Sequence, residues 1–119
     1  MKREHRYRIT VEHLSDPKGN ASAHEPLVFE AGNHDDILAI VKMVRERKLF
    51  EDDEITASFI VGQKLFGEVM LKDRKNPLFT EFWPNFLAFV KKMKAQIKGE
   101  GAEGQADKAE KSEAPSAHA

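Results

Sequence analysis

Apolar and polar positions alternate strictly over residues 5–13. His5, Tyr7, Ile9, Val11 and His13 share one parity; Arg6, Arg8, Thr10 and Glu12 share the other. Period two with β-branched and aromatic residues predicts a strand with one buried face and a polar, partly basic outer face. The alternation resumes over 26–31, where Leu27, Phe29 and Ala31 stand against Val28 and Glu30. Between the two runs, Asp16, Pro17 and Gly19 fall at the first, second and fourth positions of a type I turn. There Pro presets φ and Asp bonds to its own backbone. The pattern predicts a β-hairpin with a loop of about ten residues, longer than the usual two to five.

The period then changes to that of a helix. Asn33 offers an N-cap, and Asp35 and Asp36 fall in a first turn, where carboxylates meet the positive helix end. Ile37, Ile40, Val41 and Val44 form the apolar stripe, and Arg45, Arg47 and Lys48 close it. Glu51-Asp52-Asp53-Glu54 repeats the start signal. Ile55, Phe59, Gly62, Phe66 and Val69 then make one helical stripe running on to Asp73. Ile55, Ala57, Phe59 and Val61 also alternate, so a third strand near residues 55–61 is the alternative. The acidic cluster before the run favours the helix. Gly62 and Gly67 each cost such a helix about 1 kcal/mol relative to alanine, which predicts a close backbone approach at those points. After a break at Asn76-Pro77, Phe79, Phe82, Phe86, Phe89 and Met93 step by three and four, with Trp83, Leu87 and Val90 alongside. This predicts a third helix with a wide aromatic face, ending on Lys91, Lys92, Lys94 and Lys98. Pro84 either kinks its first turns or marks its start near Trp83.

The expected fold class is α+β: an antiparallel β-hairpin packed against three helices (ββααα) in a single globular domain over residues 1–98. From residue 99 the composition turns to Gly, Ala, Glu, Lys, Ser and Pro with no aromatic residue. Such a segment buries too little apolar surface to offset its ordering entropy. Residues 99–119 are therefore expected to form a disordered polar tail.

Composition narrows the function classes. A length of 119 residues suits one domain. Cysteine is absent, so disulfides, Cys-ligated zinc, iron–sulfur clusters and thiol nucleophiles are excluded; this fits a reducing compartment. The charged N-terminus has no apolar stretch behind it and does not read as a secretory signal. The longest apolar runs, 37–41 and 86–90, are five residues each, against about 20 for a membrane span. A soluble, cytoplasmic protein without a membrane partner is expected. The net charge of −1 divides unevenly: 17 of 19 basic and 15 of 20 acidic residues precede Gly99, leaving the body at +2 and the tail at −3. A near-neutral body argues for no particular polyanionic partner.

Each chemical candidate meets a simpler explanation. Residues 99–104 match G-x-G-x-x-G, but a dinucleotide site needs a strand before it and a helix after it. His5 and His13 lie eight residues apart, about 26 Å along a strand; His24 falls in the loop and His34 beside a helix cap. No carboxylate accompanies them at ligand spacing, so no metal site is assigned. The acidic clusters at 35–36 and 51–54 lack the spacing of a calcium loop, and helix capping accounts for them. No serine lies in G-x-S-x-G, Ser15 and Ser58 have no implied base, and nothing pairs Glu68 with Glu81. No catalytic, cofactor-binding or metal residue is assigned, and no cofactor is expected.

Binding is the better-supported class. Lys2, Arg3, Arg6 and Arg8 line one strand face, and Lys91, Lys94 and Lys98 share a helix face; together they suit a phosphate backbone. A pI near 6.5 and the lack of a helix-turn-helix signature favour ordinary solvated faces. The open edges of a two-stranded sheet and the aromatic face invite a protein partner instead, although core packing is the commoner reason for such a stripe. The candidate interaction surface is Arg6, Arg8, Phe79, Phe82, Trp83 and Phe86. The expected function is a small non-enzymatic protein-interaction module, its partner a second copy (a homodimer) or another protein. A nucleic-acid-associated accessory protein is the alternative, and an unrecognised enzyme comes third.

The segments His5-Arg6-Tyr7-Arg8-Ile9-Thr10-Val11, Leu65-Phe66-Gly67-Glu68-Val69-Met70, and Asn76-Pro77-Leu78-Phe79 onward to Lys94 resemble a family of small bacterial proteins. That family is catalogued as domain of unknown function 3861. The resemblance implies a bacterial origin and a compact α+β fold over nearly the whole body, tail excluded. It carries over no activity and no functional residues.

Overall fold

The computed structural model describes residues 3–99. The expected tail and the glycine motif, from residue 100 onward, lie outside the described residues, as does Lys2. The chain divides into two compact units, Met1–Asp35 and Asp36–Ala119.

The first unit is the hairpin. Strands β1 (His5–Val11) and β2 (Leu27–Asn33) pair antiparallel, from His5 opposite Asn33 to Val11 opposite Leu27. This register places Arg6, Arg8, Thr10, Val28, Glu30 and Gly32 on one face, and the alternate residues on the other. The ladder stops after Val11–Leu27 and resumes as a single bridge between Ser15 and Ala21. At the loop tip the Asp16 carboxylate accepts the main-chain N–H groups of Lys18 and Asn20 at 2.9 and 2.8 Å. Gly19 donates to the Asp16 carbonyl at 2.9 Å. Gly19 sits at φ +90°, a conformation that side-chain-bearing residues rarely adopt.

The apolar face is only partly closed. Tyr7, Ile9 and Ala31 are half-buried and Asn33 is buried, while Val11, Leu27 and Phe29 are exposed toward the loop. The Tyr7 hydroxyl donates to the Asp35 carbonyl at 2.9 Å, and the Asp35 N–H donates to Asn33 Oδ1 at 2.9 Å. This corrects the expected helix cap: Asn33 is the last residue of β2 and spends its side chain on Asp35, one turn too early to cap a helix.

The second unit is helical. Asp36 caps α1 (Ile37–Arg47), its Oδ1 accepting the Ala39 N–H at 3.1 Å. The helix ends where Lys48 turns left-handed (φ 56°) and donates to the Arg45 carbonyl. Asp52 caps α2 (Asp53–Lys72) through the Glu54 N–H at 2.7 Å, with Asp53 and Glu54 in the first turn. Residues 55–61 are therefore helical and the alternative third strand does not form. Asn76 caps a single turn, α3 (Pro77–Thr80), and α4 (Phe82–Lys98) follows. The helix predicted from Leu78 is thus split, giving four helices among the described residues instead of three. Pro84 has no N–H for the Thr80 carbonyl and its ring crowds that turn, so the long helix starts afresh at Phe82.

Within this unit α1 packs on α2, and α4 on α1 and α3. Met70, Phe79, Phe86, Val90 and Met93 form a core cluster, with Leu49, Phe59, Trp83 and Ile97 at its margin. Ile37, Val41, Val44 and Ile60 are also buried. The burial of α2 is inverted relative to its pattern. Ile55, Phe66 and Val69, three members of its apolar stripe, are exposed, whereas Thr56, Gln63, Lys64 and Glu68 are buried. Gly62 is not a point of close approach, since a Cβ built there meets nothing within 4 Å. Gly67 is buried. Among the described residues no helix is long and apolar enough to cross a membrane.

Candidate functional site

The outward stripe of α2 faces a matching stripe of α4. Phe59 meets Phe89 with ring centroids 6.0 Å apart, and Phe66 meets Phe82 at 6.1 Å. Seven residues separate Phe59 from Phe66 and Phe82 from Phe89 in opposite directions, so the two helices run antiparallel with a ring pair at each end. Between the pairs lies an open groove of about 410 Å³, its length roughly 10 Å from the helical rise. Gly62, Gln63, Asn85 and Phe86 line it along with the four end rings. None of its lining residues is ionisable.

Each lining position has a physical origin. Phe86 is 4% exposed and belongs to the core cluster; it supports Phe66 edge-to-face at 5.9 Å. Phe66, Phe82 and Phe89 remain 45%, 43% and 47% exposed. Gly62 contributes width, because it lacks the side chain that would otherwise project into open space. Gln63 is 7% exposed, and its carboxamide nitrogen and oxygen are buried without a hydrogen-bond partner among the described residues. A buried polar group in that condition costs about 1–3 kcal/mol.

The structure separates the residues singled out in the sequence. Phe79, Phe82, Trp83 and Phe86 gather in the helical unit, where Phe79 and Phe86 are buried and Phe82 reaches the groove. Trp83 is half-buried, stacked near Phe86 at 6.0 Å with the Arg74 guanidinium 5.7 Å over its ring. Arg6 and Arg8 belong to the hairpin unit, and both engage Glu30, at 3.1 and 3.4 Å. Glu4 adds a further carboxylate 3.7 Å from Arg6. The basic strand face is therefore interleaved with acids, which weakens its case as a phosphate-tracking surface. Phe59, Gly62, Gln63, Phe66, Asn85 and Phe89 were not singled out as a site. Phe59, Gly62 and Phe66 belong to the α2 stripe and Phe89 to the aromatic face of the last helix, patterns that read equally well as core, whereas Gln63 and Asn85 carry no signal of their own.

Among the described residues, no group of three or more His, Asp or Glu side chains converges as a metal site. Two histidines do come together, however. His13 and His24 lie with ring centroids 5.0 Å apart, beside Ser22.

Comparison with solved structures finds a protein of unknown function from Pectobacterium atrosepticum. It is 39% identical, with a TM-score of 0.67, over 77% of this chain and 98% of that one. A comparison with curated proteins returns no match. The family model for a domain of unknown function with a solved structure, DUF3861, matches residues 5–95. With the hairpin, α1, α2 and α3 inside that span and α4 running three residues past it, the chain belongs to the DUF3861 family.

Proposed function

We propose that this chain is a non-enzymatic protein-interaction module whose α2–α4 groove receives the apolar face of a partner helix. The observation that carries this reading is the inversion of α2, which leaves Phe66, with Phe82 and Phe89 of α4, in solvent around an uncharged trough. Contiguous exposed apolar surface marks binding sites more often than accident. The groove length matches two turns of helix, the spacing at which helix-in-groove partners present their anchors. The acidic segment from residue 100 onward, without Phe, Tyr, Trp, Leu, Ile, Val or Met, is a poor chemical match for such a trough.

The test is a titration of the isotope-labelled protein with a 14-residue amphipathic helix bearing leucines at i, i+3 and i+7 on an Ala/Glu/Lys background. Amide shifts centred on Gly62, Gln63 and Asn85, abolished by Gly62→Leu, are the expected result. If the same amides shift on dilution of the protein alone, the occupant is a second copy rather than a foreign helix. No response to peptide or dilution would sink the reading.

A further inference from the structure

We propose that His13 and His24 form a two-histidine site for a divalent transition-metal ion of the zinc and copper class, with Ser22 holding the first ring in place. The hairpin ladder brings them together. Between the Val11–Leu27 pair and the Ser15–Ala21 bridge, the outgoing chain has three residues and the returning chain five. Continued regular pairing would set Glu25 opposite His13 and turn His24 to the other face. The two additional residues on the return remove that constraint, and the rings meet at 5.0 Å with an interplanar angle of 66°.

That separation suits shared ligation. An imidazole nitrogen binds zinc at about 2.0–2.1 Å, which puts the ring centroid about 3.2 Å from the metal. Two such rings at a tetrahedral angle have centroids about 5.2 Å apart, close to the spacing found here. Ser22 supplies the outer support that metal-binding histidines require. Its Oγ lies 2.7 Å from His13 Nδ1 and accepts the main-chain N–H of His24 at 2.9 Å. With Nδ1 engaged by Ser22, His13 has Nε2 as its ligating nitrogen. Both histidines are exposed, so water completes the coordination. Imidazole donors select zinc, copper or nickel over magnesium and calcium, which take oxygen ligands.

The test uses the full chain, stripped of metal with a chelating resin and titrated with zinc chloride while the histidine ring signals are followed by NMR. One equivalent of zinc should move the His13 and His24 signals and leave those of His5 and His34 in place. His13→Gln and His24→Gln should each weaken binding at least tenfold, and Ser22→Ala about tenfold, the usual loss for an outer partner. His13 and His24 are exposed and Ser22 is half-buried in the hairpin loop, so the variants should fold; unchanged amide spectra elsewhere will verify it. Three outcomes would each overturn the proposal: no response to zinc, an equal response to magnesium, or unaltered zinc binding in both glutamine variants.

Discussion

The ring of Phe66 rests edge-to-face on that of Phe86 at 5.9 Å, one nearly half exposed and the other sealed in the core. The rim of the groove is thus built directly on the element that stabilises the helical unit. Rim and floor make different contributions, and they can be separated by substitution.

Phe86→Ala should cost about 3–5 kcal/mol, the usual price of emptying a buried aromatic site. Phe89→Ala removes a ring 47% exposed whose main partner in the groove is Phe59. It should cost about 1 kcal/mol while weakening binding of the helical peptide. Urea unfolding of the two variants checks the first pair of figures, and peptide titration checks the last.

Gly62→Ala should raise stability by about 0.5–1 kcal/mol. Alanine loses less conformational entropy in a helix than glycine, and the added methyl meets nothing within 4 Å. A lower urea midpoint for this variant would mean that the groove closes over Gly62 in solution.

Gln63→Met keeps the length of the side chain and removes two buried polar atoms that lack partners among the described residues. Stability should rise by about 1 kcal/mol or more. Thermal unfolding of the variant beside the wild type decides this, since a fall would show that the carboxamide is hydrogen-bonded to water or a ligand in solution.

The Asp16 carboxyl is held below the ordinary aspartate range, chiefly because the Asn20 main-chain N–H donates to it. Desolvation is the next largest effect and opposes it, while the Asn20 side chain and the N–H groups of Lys18 and Gly19 add to the lowering. A depressed value in the folded state means the carboxylate supports the turn fully above its unfolded value. That support is lost as pH falls through the folded one. Amide exchange at Lys18 and Asn20 should accelerate in that acidic window, and Asp16→Asn should abolish the pH dependence.

The elements of this fold were legible where local chemistry decides them. Alternation gave β1 and β2, Asp16-Pro17-Lys18-Gly19 gave the turn, and the acidic run before Ile55 gave the start of α2. What was not legible depends on distant packing. Asn33 is as good a cap as Asp36 by residue type, and only its place at the end of β2 decides between them. The stripe containing Phe59 and Phe66 has the same pattern whether it faces a core or solvent, so the groove could not be read from α2 alone. His13 and His24 meet because the ladder slips between Leu27 and Ala21, and no spacing rule along one strand registers a slip.

Trp83 is the sole tryptophan of the chain. It packs on Phe86 beneath the Arg74 guanidinium, next to the floor of the trough. Its emission therefore serves as a built-in optical reporter. Without any attached dye, a colour change on adding a candidate ligand reads occupancy beside Phe86, and quenching by iodide reads how far the indole has been uncovered.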